Sequence, residues 1–205
     1  MNKTFKNINF LNYKKEFLDK IYPLMENYPG NSLFYSEGLA LYTLAKEFKI
    51  DLLIESGVFR GGSTRIWVNT LPEINIECID ILESPRHVPI VEEVIKKFLK
   101  HKNINFTIGD SNIELPKIIK NNPNKTIGVF VDGPKDNEGL NLCKKVLEFS
   151  NVKFSCLHDF SMLNDEKHFS TRTNQSFNEQ IRGINANHPQ IHKYPDGPGL
   201  YCLLK

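Results

Sequence analysis

No run of about 18 apolar residues occurs anywhere in the chain, so the sequence predicts no membrane-spanning helix. The opening residues, MNKTFKNINFLNYKKEF, lack the apolar core of a secretory signal. Cysteine is scarce. Cys78, Cys143, Cys156 and Cys202 form no C-x-x-C pair, and none has a histidine at zinc-finger spacing. Each lies in or beside an apolar run, which reads as a buried free thiol in a reducing compartment, and so as a cytoplasmic protein. An excess of one charge is also missing: 26 Lys and Arg face 24 Asp and Glu. Nothing in that balance advertises a nucleic acid or an anionic membrane as a partner.

What is present is 205 residues with 40% hydrophobic content, enough to bury a core without disulfides or metals as staples. We expect one domain over residues 1–205, with residues 1–35 as a helical N-terminal extension. Phe17, Ile21, Leu24 and Met25 stand at helical spacing, with Pro23 ending or kinking that helix. Tyr28–Asn31 reads as a turn, and Ser36 as the cap of a second helix. From there short apolar runs alternate with amphipathic stretches. The runs are DLLIESG, INIECIDIL, INFTIGD, TIGVFVDG and VKFSCLHDF. Alternation at this spacing predicts an α/β fold, a doubly wound Rossmann-like sheet of parallel strands with right-handed crossovers. Residues 161–185 are polar, with a helix near Phe177–Ile184. The tail predicts an antiparallel hairpin around Pro195–Gly199, which makes seven strands.

In such a sheet ligands bind beyond the carboxyl ends of the strands. Every predicted parallel strand ends in an acid or is followed at once by one. Glu55-Ser56-Gly57 follows the first strand and Asp80 the second. Gly109-Asp110-Ser111 follows the third, Asp132-Gly133 the fourth and His158-Asp159 the fifth. The first loop, E-S-G-V-F-R-G-G-S, is neither a P-loop nor G-x-G-x-x-G, because Phe59 holds the second glycine position. Its glycines, Gly57 and Gly61 among them, let a ligand approach the backbone. The following helix presents free N–H groups and a positive dipole end. Asp80 lies 23 residues beyond Gly57, where an acid can bind a ribose diol.

These residues, with the later G-D-S and V-D-G-P-K-D, resemble the class I S-adenosylmethionine-dependent methyltransferases. The nearest likeness is to small-molecule O-methyltransferases of the catechol O-methyltransferase type and of bacterial sugar and antibiotic pathways. The resemblance covers roughly residues 36–205 and is strongest from Leu52 to Phe160. It implies S-adenosylmethionine as cofactor. Glu55 and Gly57 would shape the pocket for its methionine part, and Ser63 would bind the carboxylate. Asp80 would hold the ribose, and Gly109, Asp110 and Ser111 would border the adenine. It implies Asp132 and Asp159 as ligands of a Mg²⁺ ion and Lys135 as the catalytic lysine. Where that family places an amide after the second acid, this chain has Phe160. His158 is a second candidate, as ligand or base.

The chemistry stands without the family. Methyl transfer from a sulfonium to a hydroxyl needs donor and acceptor in line and a group to take the acceptor's proton. We therefore expect Asp132, Lys135 and His158 to be catalytic and the acceptor to be a small molecule. A sugar or glycan precursor is one candidate, with residues 161–180 and the N-terminal segment forming the acceptor side. The other expectation is a non-catalytic ligand-binding or scaffolding protein that keeps the fold. A homo-oligomer is left open by the sequence.

Overall fold

Five apolar runs lie side by side as parallel strands: β1 (Leu52–Ser56), β2 (Asn75–Asp80), β3 (Ile104–Ile108), β4 (Ile127–Val131) and β5 (Val152–His158). They belong to a computed structural model that describes residues 4–21, 23–24, 33–82, 87–160, 168–181, 183–184 and 199–205. β1 and β4 are buried at every position, as a sheet covered on both faces requires. β6 (His168–Ser170) and β7 (Leu200–Leu204) complete a seven-stranded sheet in the order β3-β2-β1-β4-β5-β7-β6. β7 runs antiparallel to both of its neighbours.

The helices are α1 (Leu11–Ile21), α2 (Tyr35–Phe48), α3 (Gly62–Thr70), α4 (Val88–Phe98), α5 (Ser111–Asn121), α6 (Asp136–Val146) and α7 (Gln175–Gln180). Their apolar stripes build two cores, one on each face of the sheet. On one face Phe17, Ile21, Leu39, Trp67 and Phe98 cover Leu53, Phe130, Phe154 and Cys156. On the other Leu115, Ile119, Leu142 and Val146 cover Ile54, Val129, Val131 and Leu157. The four cysteines are free and buried. No helix among the described residues is long and apolar enough to cross a membrane.

Two local expectations change. The sixth strand is His168–Ser170, inside the stretch that reads as polar loop, because three residues are too short to show a period. The strand expected before Pro195 lies outside the described residues, as do Tyr28–Asn31, Met25, His188, His192 and residues 161–167. α2 begins at Tyr35, one residue before the expected Ser36 cap. The Phe34 N–H donates instead to the Glu37 carboxylate at 2.9 Å. The N-terminal segment is woven into the first core. Phe5 and Phe10 stack on Phe169 of β6, and Phe10 meets Phe177 of α7 edge-on.

Candidate active site

The strand order reverses between β1 and β4, and the chain ends there touch. The Ser56 carbonyl accepts from the N–H groups of Asp132 (2.7 Å) and Gly133 (3.1 Å). Gly57 follows with φ +88°, and a Cβ on it would lie 2.7 Å from the Gly133 nitrogen and 2.9 Å from the Asp132 carbonyl carbon. This glycine serves the join between two strand ends, where no side chain fits.

The loop beyond Gly57 is held by acids at both ends. The Asp80 Oδ2 accepts from the N–H groups of Val58 (2.7 Å) and Phe59 (2.8 Å). Its Oδ1 accepts nothing among the described residues. Phe59 is thereby held at φ +45°, in the left-handed region. Gly61, at φ +68°, caps α3 without a side-chain hydrogen bond, so the first-turn amides of that helix keep their donors. A Cβ on Gly61 would lie 2.7 Å from Val94 and 2.8 Å from Phe98, which sets α4 close against the loop.

Glu55 is fully buried, and its carboxylate takes the hydroxyls of Ser63 and Thr64, the latter at 2.7 Å. Burial pushes its pKa up to about 7, against the pull of those hydroxyls. The Ser63 hydroxyl is thus engaged by Glu55, which leaves its backbone N–H in the first turn of α3 as the donor that faces outward. Ser111 likewise turns inward, its hydroxyl 2.6 Å from that of Ser56, which also bonds the Gly133 carbonyl. Asp110 caps α5 by accepting from the Asn112 N–H at 2.8 Å. The Gly109 N–H donates to the Asp80 carbonyl at 2.9 Å. Around these strand ends Phe59, Ile81, Ile108 and Ile113 are exposed, an apolar rim that the sequence reading missed.

The ends of β4 and β5 are charged. The turn Asp132-Gly133-Pro134 places Lys135 at the N-cap of α6, so its side chain folds back over the strand ends. Its ammonium bonds Asp132 Oδ1 and, at 2.6 Å, Asp159 Oδ2. His158 Nδ1 lies 2.9 Å from Asp132 Oδ1 and 3.6 Å from Asp159 Oδ1. On the far side of the ring Nε2 lies 3.4 Å from Glu37 Oε2 of α2. Burial alone would lower the His158 pKa, but Glu37 and Asp132 outweigh it and raise it to about 10. Burial also opposes the charge of Lys135, and the two aspartates override it, raising its pKa. Asp132 is lowered by His158 and Lys135 despite its burial. The surrounding carboxylates thus favour the protonated forms of both expected bases. Phe160 packs on the opposite core beside Tyr201, with ring centroids 5.6 Å apart, and takes no part in the cluster.

No protein-family model matches the chain, and no curated protein matches it. Solved structures do. The chain is similar to the S-adenosylhomocysteine-bound methyltransferase PaMTH1 of Podospora anserina, at 15% identity and a TM-score of 0.51, over 93% of this chain and 88% of that one. The chain has the fold of the S-adenosylmethionine-dependent O-methyltransferases. It is similar as well to an O-methyltransferase of Bacillus cereus in complex with S-adenosylhomocysteine, at 15% identity and a TM-score of 0.50, over 95% of this chain and 91% of that one. On this methyltransferase fold, the glycine loop with Asp80 and the charged cluster occupy the same edge of the sheet, on the two sides of the reversal in strand order.

Proposed function

We propose that this chain is one methyltransferase domain that moves the methyl group of S-adenosylmethionine to a hydroxyl oxygen of a small molecule. One observation carries the reading. The Oδ1 of Asp80, without a partner among the described residues, stands beside a glycine turn and a helix N-terminus without a side-chain cap, with the acidic and basic cluster across the switch point. Asp80 Oδ1 would accept from the ribose, and the apolar rim of Ile81, Ile108 and Ile113 suits a flat base. The first-turn amides of α3 and its dipole suit the carboxylate of the methionine part.

In the transfer the acceptor oxygen attacks the methyl carbon in line with the sulfur. The carbon–sulfur pair returns to sulfur, and the hydroxyl proton leaves. Lys135 and His158, both protonated, stabilise the negative charge that grows on the acceptor oxygen. Asp159, whose side chain is 45% exposed, is the carboxylate placed to take the proton. Asp132 holds both cations in place.

Asp132, His158 and Asp159 each bring one ligand atom within 4.8 Å of the others, a donor set that fits a divalent cation such as Mg²⁺. The two carboxylates would hold it in the place of the Lys135 ammonium, with His158 joining only after losing a proton from Nδ1. When bound, such an ion would lower the pKa of the acceptor hydroxyl. The polar residues around Arg172 suit a polar acceptor such as a sugar. The buried free thiols support a reducing, cytoplasmic setting.

Isothermal titration with S-adenosylhomocysteine, S-adenosylmethionine and NAD tests the reading. The two sulfur nucleosides should bind and NAD should not. Binding of NAD alone would overturn it, and S-adenosylmethionine binding without methyl transfer to any hydroxyl acceptor would favour a binding protein.

A further inference from the structure

We propose that Glu37 is a positioning residue of this site, a carboxylate that fixes the His158 ring and seats the strand end carrying Asp159; the inference rests on the methyl-transfer reading. Glu37 lies in the first turn of α2, far in sequence from every strand end, and is 1% exposed. A carboxylate so deeply buried is tolerated only when its oxygens are well partnered. Oε2 accepts from the Phe34 N–H at 2.9 Å and faces His158 Nε2 at 3.4 Å. Oε1 accepts from the Gly199 N–H at 2.8 Å.

A helix cap would need only the first of these contacts, and it would work at the surface. The other two point to the site. An imidazole bonded at one nitrogen turns less freely about its bond to Cβ when a carboxylate also faces the other nitrogen. His158 Nδ1 bonds Asp132, and its buried Nε2, with no hydrogen-bond partner among the described residues, lies 3.4 Å from Glu37 Oε2, so the ring stands between two carboxylates and Glu37 is the charge nearest its far nitrogen. The ring in turn sets the Asp132 oxygen that Lys135 shares. The Gly199 bond works from the other side. Gly199, at φ +93°, leads into β7, and its carbonyl accepts from the Phe160 N–H at 3.3 Å. Phe160 directly follows Asp159, so one carboxylate on α2 reaches both neighbours of the proposed proton acceptor.

The test compares wild type with Glu37→Gln. The side-chain amide keeps the size but has one acceptor oxygen in place of two, and no charge. Histidine ring signals are followed by heteronuclear NMR and the Gly199 amide by hydrogen exchange, with S-adenosylhomocysteine affinity as the control. The His158 ring signals should move, and Gly199 exchange should speed up about tenfold or more, as for a lost hydrogen bond to a charged group. Affinity for S-adenosylhomocysteine, bound across the switch point, should stay within about twofold. Unmoved ring signals would overturn the proposal. So would a collapse of melting temperature and affinity together, which would make Glu37 a plain structural anchor. If the Gln variant does not fold, Glu37→Asp, which keeps the charge but withdraws it by one methylene, is read by the same signals. Failure of the wild type to bind S-adenosylhomocysteine counts against the methyltransferase reading alone, and the ring signals of the ligand-free proteins still decide Glu37.

Discussion

The two halves of the sheet's carboxyl edge are built on different principles. Beyond β1–β3 the chain offers backbone: a glycine turn, an uncapped helix end, and two acids that brace the loop through its N–H and hydroxyl groups, with Asp80 keeping one oxygen for a ligand. Beyond β4 and β5 it offers alternating charge, in the series Glu37, His158, Asp132, Lys135, Asp159. The first half suits a ligand recognised by shape and hydrogen bonds. The second suits a reaction in which charge appears on an oxygen. Binding and chemistry are thus separable here, and substitutions should separate them.

The largest effect is expected from Lys135→Ala. Methyl transfer should fall ~10²–10⁴-fold, the usual loss for a group acting on a proton or charge in the transition state. Affinity for S-adenosylhomocysteine, measured by titration calorimetry, should barely change. A matching loss of affinity would mean that the halves are not separable. Gly57→Ala strikes the join instead. Its Cβ would meet the Asp132–Gly133 backbone, not the cofactor, at a φ that L-residues avoid. Strain and overlap together should cost about 3 kcal/mol in denaturant unfolding, with binding and catalysis lost together.

Glu55 adds a pH signature to the backbone half. Its folded pKa, about 7, exceeds the ordinary value of 4.5. Between those values the native state binds more protons than the unfolded one, so stability is full below about 4.5 and falls as pH rises to about 7. The loss is on the order of 3 kcal/mol, at 1.36 kcal/mol per pKa unit. Glu55→Gln should flatten that slope in a pH series of unfolding curves, and an unchanged slope would place its origin elsewhere. Asp80→Ala should weaken S-adenosylhomocysteine by ~1.5–3 kcal/mol, and Asp80→Asn by less, since one acceptor oxygen remains. Smallest is Phe160→Asn. Restoring the amide should leave Mn²⁺ affinity unchanged, because that side chain packs on the other core. A gain in Mn²⁺ binding would refute this placement.

The parallel sheet is legible in the sequence because its signals are local: short apolar runs, glycine loops and acids at strand ends. The same locality brings Asp132, Lys135, His158 and Asp159 within reach of inspection, since each follows directly on a strand. Glu37 is not legible. Its partner Gly199 is 162 residues away, and a glutamate in a first helical turn reads as an ordinary cap. The Ser63–Glu55 bond is hidden for a similar reason: Glu55 stands on a strand where its side-chain direction is not written in the motif. Protonation is hidden too. The carboxylates that raise the His158 pKa come from α2 and the end of β4, and neither neighbours it in sequence.

β7 lies between β5 and β6 although it follows both in the chain. During synthesis the strands β1–β5 can pair in the order in which they appear, but the edge of β5 that pairs with β7 along Phe154–His158 stays open until residues 200–204 arrive. Until then unpaired N–H and C=O groups line that edge, a template for pairing with another chain. The Gly199 amide reaches Glu37 in the same late step. Assembly of the charged cluster is therefore tied to completion of the sheet. A nascent or clipped chain ending before Leu200 would carry the glycine loop and Asp80 in full, yet present an aggregation-prone flank where the chemistry should be.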